Sequence, residues 1–170
     1  YIGSDFVPGI PAGGTAEASI VWDTLGFTGA TPVRVVVDPY NRLAELDEDN
    51  NQATESLTIL TRPDLEPVFA AFSNPEPVAG EAVTVSLQVA NHGQVAAGAF
   101  KVGLFNGNPD DGGELLQTVN LTVPGGGNAT ATFSWMPAAP GPHRLFAQVD
   151  KERAVNESNR GNNLTWQDIY

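Results

Sequence analysis

A short acidic stretch carries the residues whose types and spacing could bind a metal ion. Its oxygen-bearing side chains stand at alternate positions, on Glu45, Asp47, Asp49 and Asn51. Alternating carboxylate and amide oxygens are how a calcium loop surrounds a hard cation. The same residue types also build turns, because Asp and Asn side chains accept hydrogen bonds from nearby backbone N–H groups and tolerate left-handed backbone. The stretch therefore predicts either a calcium site or a tight turn between two strands.

A second stretch with the same spacing favours the turn. Most of the charge is lost at its corresponding positions, which are Glu157, Asn159, Gly161 and Asn163. What both stretches keep is a pair of Asn residues, Asn50-Asn51 in the first and Asn162-Asn163 in the second. A calcium site needs its carboxylates, whereas a turn needs only its Asn residues. We therefore expect both Asn pairs to be structural turn residues, and calcium at the first stretch is the alternative.

No other group of residues has the spacing of a catalytic site. His92 and His143 are isolated, and neither belongs to a Ser-His-Asp arrangement or a Glu-x-x-His pattern. The chain has no cysteine, which excludes thiol catalysis and cysteine-ligated metals. We therefore predict that the chain is not an enzyme and that it carries no cofactor, calcium aside.

Two further sets of residues could contact other molecules. Four sequons could carry N-linked glycans, at Asn120, Asn128, Asn156 and Asn163. Phe146 and Trp166 belong to a group of aromatic residues outside the core pattern, and exposed aromatic side chains can stack on sugars or form a subunit contact. Packing against a neighbouring domain is the simpler interpretation of those aromatics. Trp22 and Trp135, by contrast, alternate in phase with core residues and are predicted to be buried.

The composition limits the classes of partner. Eight basic and twenty acidic residues among 170 give a net charge of -12, which disfavours binding to nucleic acid or to an anionic membrane surface. No apolar stretch is long enough for a membrane span. The 41% of hydrophobic residues is enough to build a core.

An internal repeat supplies the elements that must position these residues. IPAGGTAEASIVW aligns with VPGGGNATATFSW, so that Trp22 meets Trp135. Further along, PVRVVVD aligns with RLFAQVD, so that Asp38 meets Asp150, and the two Asn pairs then coincide. The second copy alternates apolar and polar residues between Gly- and Pro-rich turns, which predicts short strands. We expect seven of them, near residues 66–72, 82–90, 99–105, 115–122, 129–135, 143–150 and 163–170.

Seven such strands predict an all-β fold with an immunoglobulin-like sandwich at residues 63–170. The first copy has no counterpart of residues 63–113, and only four strands are expected in it, near 1–7, 15–22, 32–38 and 54–61. Such a remnant would expose the inner face of a sheet and bare strand edges. Residues 1–62 are therefore predicted to be the C-terminal half of a sandwich, completed by missing strands or by strands of a partner.

Several motifs resemble those of a known family. The second copy opens with Pro63-Asp64-Leu65, continues with Gly80-Glu81, and has an N-x-G-x-x-x-A-G turn at Asn91, Gly93, Ala97 and Gly98. The first copy ends in an acidic hairpin that contains Val37-Asp38, Asn41, Glu45, Glu48 and Asn50-Asn51. In these motifs the chain resembles the CARDB family (cell adhesion related domain found in bacteria). The second hairpin departs from the pattern, with Arg153 where Asn41 stands and Arg160 where Glu48 stands.

The resemblance implies repeated extracellular sandwiches in cell-surface or secreted proteins, without catalytic activity. We therefore expect a non-enzymatic structural or adhesive module of a cell-surface protein or filament, which polymerises by strand complementation. Its partners would be neighbouring copies of itself or adjacent repeats of a longer chain. The alternative is a carbohydrate- or ligand-binding accessory module of a secreted enzyme, which would bind glycans through exposed aromatic residues.

Overall fold

The computed structural model describes residues 1–170 as two compact units, Tyr1–Ile59 (unit 1) and Leu60–Tyr170 (unit 2). All nine regular elements are β-strands. In chain order they are β1 (Gly29–Val36), β2 (Gln52–Ile59), β3 (Leu65–Phe72), β4 (Val83–Asn91), β5 (Ala97–Asn106), β6 (Glu114–Val123), β7 (Asn128–Trp135), β8 (His143–Val149) and β9 (Leu164–Ile169). The chain has no helix that could cross a membrane.

Unit 2 is a seven-stranded antiparallel sandwich, which confirms the predicted fold class. One sheet has the strand order β3-β4-β7 and the other β6-β5-β8-β9. The core lies between them because apolar side chains alternate along the strands, as at Val83, Val85, Leu87 and Val89, which are fully buried. Trp135 is buried in the same core, as its phase predicted.

The turn after β4 binds the first residues of unit 2 through hydrogen bonds and close backbone contacts. The Asn91 side chain is buried, and its Oδ1 accepts hydrogen bonds from the backbone N–H groups of Asp64 (3.1 Å) and Gly93 (3.0 Å). Gly93 lies against the backbone of Arg62, and a Cβ on residue 93 would stand 1.8 Å from the Arg62 carbonyl oxygen. The Asn-x-Gly motif is thus explained by one buried amide and one close backbone approach.

Unit 1 forms only a two-stranded hairpin, β1 with β2, and none of its residues is buried. The expected strands near 32–38 and 54–61 are present as β1 and β2, but those near 1–7 and 15–22 are wrong, because neither segment is a strand. The corresponding strands of unit 2, β6 and β7, pair with β5 and β4, and unit 1 has no counterpart of those two partners. A strand without a partner leaves its backbone groups unpaired, so those segments stay irregular.

Trp22 illustrates the difference between the two units. It is only half-buried and packs edge-on against Phe27, with ring centroids 5.1 Å apart. The prediction of a core position for Trp22 is therefore wrong in this structure, since unit 1 has no second sheet to cover the ring.

Candidate functional site

The hairpins β1–β2 and β8–β9 are structural copies of one another. The pair Val35 and Ala53 corresponds to Ala147 and Thr165, and the whole register agrees. The backbone hydrogen bond next to the loop end of each ladder is also the same in both hairpins. Val37 N–H donates to the Asn51 carbonyl at 2.8 Å, and Val149 N–H donates to the Asn163 carbonyl at 2.9 Å.

The turns of the two hairpins are strained in the same way. Asp38 and Asn41 have left-handed backbone, with φ of 40° and 50°, and their counterparts Asp150 and Arg153 have φ of 47° and 59°. Such angles are uncommon for residues other than glycine. The N–H of the third residue after each aspartate donates to the aspartate carbonyl, at 2.9 Å in unit 1 and 3.0 Å in unit 2. The repeat found in the sequence is therefore a repeat of backbone geometry.

We call β8, β9 and the loop between them, residues 143–169, the closed hairpin. Its loop holds an ion cluster in which the carboxylates of Asp150 and Glu157 are completely buried. The Arg160 Nη1 lies 3.3 Å from an Asp150 oxygen and 3.2 Å from a Glu157 oxygen, and Arg160 also donates to the Val155 carbonyl. Asp150 accepts two further bonds, from the N–H groups of Ala154 and Val155. Arg160 is thus an internal cation that neutralises two buried acids.

Burial dominates the protonation of Glu157. Loss of solvent raises the pKa of this carboxyl above its usual range, although bonds from Asn163, the Leu65 N–H and Arg160 act in the opposite direction. The Asn163 Nδ2 donates to Glu157 at 2.8 Å and to the Val149 carbonyl at 3.3 Å. Asn163 therefore ties the ion cluster to β8. Sequence reasoning missed this cluster, and its only signal was the departure of Arg160 from the acidic pattern.

The closed hairpin also holds the opening segment of unit 2, residues 63–65. The Leu65 N–H donates to a Glu157 carboxylate oxygen at 3.1 Å, and the Asn162 Nδ2 donates to the Asp64 carboxylate at 2.9 Å. The Ser158 N–H donates to the Pro63 carbonyl at 2.8 Å. These bonds fix the first residues of β3 against the loop, and Leu65 is fully buried there.

We call β1, β2 and their loop, residues 29–59, the open hairpin. β8 pairs with β9 on one edge and β5 on the other, but β1 pairs only with β2. Its apolar side chains are exposed where those of the closed hairpin are buried. Val35 and Val37 are each 58% exposed and Leu57 is 48% exposed, whereas their counterparts Ala147, Val149 and Ile169 are 0%, 1% and 3% exposed. The open hairpin thus presents a free edge at β1, where the closed hairpin has β5 paired to β8, and one uncovered apolar face.

The loop of the open hairpin contains the four residues considered as calcium ligands: Glu45, Asp47, Asp49 and Asn51. Asp47 Oδ1 accepts a bond from the Asp49 N–H at 3.0 Å. Glu48 accepts bonds from the Glu45 N–H at 3.0 Å and from the Asn51 Nδ2 at 3.3 Å. These are contacts of a turn, and nowhere in the chain do three or more His, Cys, Asp or Glu side chains gather as a metal site would require. Calcium binding remains a prediction from the sequence.

A backbone bond also stabilises the charged form of the aspartate that starts this loop. The Leu43 N–H donates to Asp38 at 2.6 Å and lowers the pKa of that carboxyl. In the closed hairpin the corresponding Asp150 is buried beside Arg160.

The four sequons differ in accessibility. Asn120, Asn128 and Asn156 are exposed, which is compatible with the glycosylation expected there. Asn163 is buried, and its Nδ2 already donates both bonds described above. A glycan replaces one hydrogen of that nitrogen and would break at least one of these bonds, so glycosylation of Asn163 remains a prediction from the sequence.

The aromatic residues of β8 and β9 are also placed by the structure. Phe146, which stands outside the core pattern of the sequence, faces away from the core but is buried, because it lies in register between Phe105 and Trp166 on the outer face of the sheet. Trp166 is half exposed, and the Arg144 guanidinium covers its ring at 4.3 Å from the centroid. Arg144 is held there by a bidentate pair with Asp168. The ring is therefore already stacked, which makes it a poor open platform for a sugar.

Comparisons with known proteins agree with this geometry. The CARDB family model matches residues 1–55 and 62–166. The CARDB domain of a Pyrococcus furiosus protein, crystallised in complex with di-metal ions, is 25% identical and has a TM-score of 0.56 over 66% of this chain and 96% of its own. No curated protein matches the chain.

One more distant structure shares the fold, and another is too dissimilar to support any argument. A domain described as part of a cell surface protein of Methanosarcina acetivorans is 24% identical, with a TM-score of 0.51 over 64% of this chain and 91% of its own. A β-glucosidase of Listeria innocua is 16% identical, with a TM-score of 0.47 over 63% of this chain and 16% of its own. The second likeness says nothing about activity.

Proposed function

The chain belongs to the CARDB family, and on that premise we propose that it is a non-enzymatic structural module of an extracellular cell-surface assembly. The family is a non-catalytic, cell-adhesion-related one, and the chain has no catalytic arrangement of residues in its sequence. The Methanosarcina acetivorans relative described as a cell surface protein supports the same location. The net charge of -12 would keep such modules soluble before they assemble.

The sharper form of the proposal is that the open hairpin is completed by strands of another molecule. The observation that carries it is the contrast between exposed Val35, Val37 and Leu57 and their buried counterparts in the closed hairpin. A strand added along the free edge of β1 would satisfy its backbone groups, and apolar residues of the partner would cover the uncovered face. In unit 2 the strand β5 has that position beside β8.

Residues ahead of Tyr1 in a longer chain could supply the same strands, and an association experiment separates the two sources. We expect the apparent mass of the 170-residue chain to rise with concentration in sedimentation-velocity runs. Residues 60–170 alone should stay monomeric, because that unit buries its own core.

A matched pair of variants locates the association. Val35→Glu places a charge on the uncovered face and should abolish the rise in mass, whereas Val68→Glu, at an equally exposed valine of β3, should leave it unchanged. A 170-residue chain that remains monomeric up to several hundred micromolar would contradict completion by another molecule. If both variants lose the rise in apparent mass equally, the open hairpin is not the site of association.

A further inference from the structure

We propose that the open hairpin selects the segment it takes up, and that this segment is an extended strand that opens with Pro-Asp-Leu. Glu45 and Asn50 are the selecting residues. This inference rests on the proposed completion of unit 1 by another molecule and adds the chemistry of the partner.

The closed hairpin shows what its loop recognises. Glu157 accepts a hydrogen bond from the Leu65 N–H, and Asn162 donates one to the Asp64 carboxylate. Two side chains of the loop therefore bind the segment Pro63–Leu65. In the shared register, the counterparts of Glu157 and Asn162 are Glu45 and Asn50. The residue types are identical at both positions.

In the open hairpin these two groups have nothing to bind. The side chains of Glu45 and Asn50 are exposed, and neither makes a hydrogen bond in the structure, although the Glu45 backbone N–H does. They are also outside the bonds that shape the turn, which use Asp38, Asp47 and Glu48. The geometry of the turn therefore does not explain why Glu45 and Asn50 have the same residue types as Glu157 and Asn162. Recognition of a bound strand explains it.

The apolar surroundings match a leucine in the same position. Leu65 belongs to the core that also contains Val155 of the loop and Ile169 of β9. The counterparts of these two residues in the open hairpin are Leu43 and Leu57, which are 65% and 48% exposed. A leucine entering beside Glu45 would bury both of them.

Selection follows from the cost of an unpaired acid. Any apolar strand could cover the uncovered face, but it would also remove water from the Glu45 carboxylate. A strand that presents a backbone N–H to Glu45 and an acceptor to Asn50 compensates for that loss, whereas one with other polar groups there leaves them unsatisfied. The preferred partner is thus the opening strand of a repeat of the same family, presented by another molecule in which no closed hairpin already holds that strand.

The probe is a fluorescein-labelled peptide of residues 61–73, TRPDLEPVFAAFS. Its anisotropy is followed during titration with the 170-residue chain at concentrations below self-association. We expect saturable binding to the full chain and none to residues 60–170, whose closed hairpin already holds its own segment. A peptide N-methylated at Leu65, which lacks the donor for Glu45, should bind about tenfold more weakly.

Substitutions in the open hairpin test the same contacts as the modified peptide. Glu45→Ala and Asn50→Ala should each weaken peptide binding by about five- to tenfold. Glu76→Ala, which removes an exposed carboxylate of unit 2, should leave the affinity unchanged. Equal affinity for all variants and both peptides would overturn selection and leave strand completion standing. If the chain binds no peptide but still associates through Val35, selection is likewise overturned and strand completion stands. No peptide binding by a chain that is also monomeric overturns both the inference and the proposed completion.

Discussion

Replacement of Arg160 by Met is expected to lower the free energy of unfolding of unit 2 by about 3 kcal/mol. The guanidinium lies within 3.3 Å of the carboxylates of both Asp150 and Glu157, whose side chains are completely buried. Without Arg160 two acids remain in the protein interior with no cation between them. The figure is at the low end for a broken buried pair because Arg160 itself is 31% exposed, which lets water screen part of the charge.

Urea denaturation of residues 60–170 measures this loss. The control is Lys101→Met, which removes a shorter ion pair, 2.7 Å to Glu152, in which both side chains are exposed, and it should cost less than about 1 kcal/mol. If the two substitutions cost the same, the buried ion cluster contributes no more than a surface pair, and our account of the closed hairpin is wrong.

The second large effect is expected at the start of unit 2, where Gly93→Ala should cost about 3 kcal/mol, the upper end for overpacking. A Cβ at residue 93 would stand 1.8 Å from the Arg62 carbonyl oxygen and 2.8 Å from the Pro63 Cα. Both contacts are with backbone, so no flexible side chain can move aside. The segment that the closed hairpin holds would have to shift, and the bond from the Asp64 N–H to Asn91 would be lost.

Gly98→Ala is the matched control, since it belongs to the same Asn-x-Gly-x-x-x-Ala-Gly motif. No atom lies within 4 Å of a Cβ built at that position, and its φ is not in the left-handed region. Thermal unfolding of the two variants should therefore show a large drop in Tm for Gly93→Ala and little change for Gly98→Ala. A Tm for Gly93→Ala close to that of the unsubstituted chain would show that residues 62–63 are free to move.

The strands of unit 2 could be predicted from the sequence because each has one face in the core. Along β4, for instance, buried Val83, Val85 and Leu87 alternate with Thr84 and Ser86, and this period of two is visible in the sequence. The alignment also paired Asp38 with Asp150, which share an uncommon backbone angle, but the residues predicted from the sequence to form the turn were the two Asn pairs instead.

Other features could not be predicted, since they depend on which strands are present as neighbours. Residues 15–22 alternate much as β7 does, but they form no strand because the counterpart of β4 is not among residues 1–59. The burial of Phe146 depends on Phe105, which is distant in sequence and adjacent in register. The ion cluster was equally hidden, because an arginine between two acids usually indicates a solvated surface.

The comparison of two copies within one chain gives the account its strongest support. The open and closed hairpins have the same register and the same turn, so local sequence does not explain why one is buried and the other is not. What differs is the set of strands around them, since only β8 has β5 beside it and only the closed hairpin holds a Pro-Asp-Leu segment. This difference supports the proposal that the open hairpin accepts a strand of another molecule.

Hydrogen–deuterium exchange of the full chain at a low and a high protein concentration tests that claim most directly. We expect the amides of β1 to exchange rapidly in the dilute protein and to become protected in the concentrated one, while those of β8 exchange slowly in both. Amides of β1 that are as slow as those of β8 in the dilute protein would contradict the open edge. Amides of β1 that exchange equally fast at both concentrations would contradict its completion by another molecule.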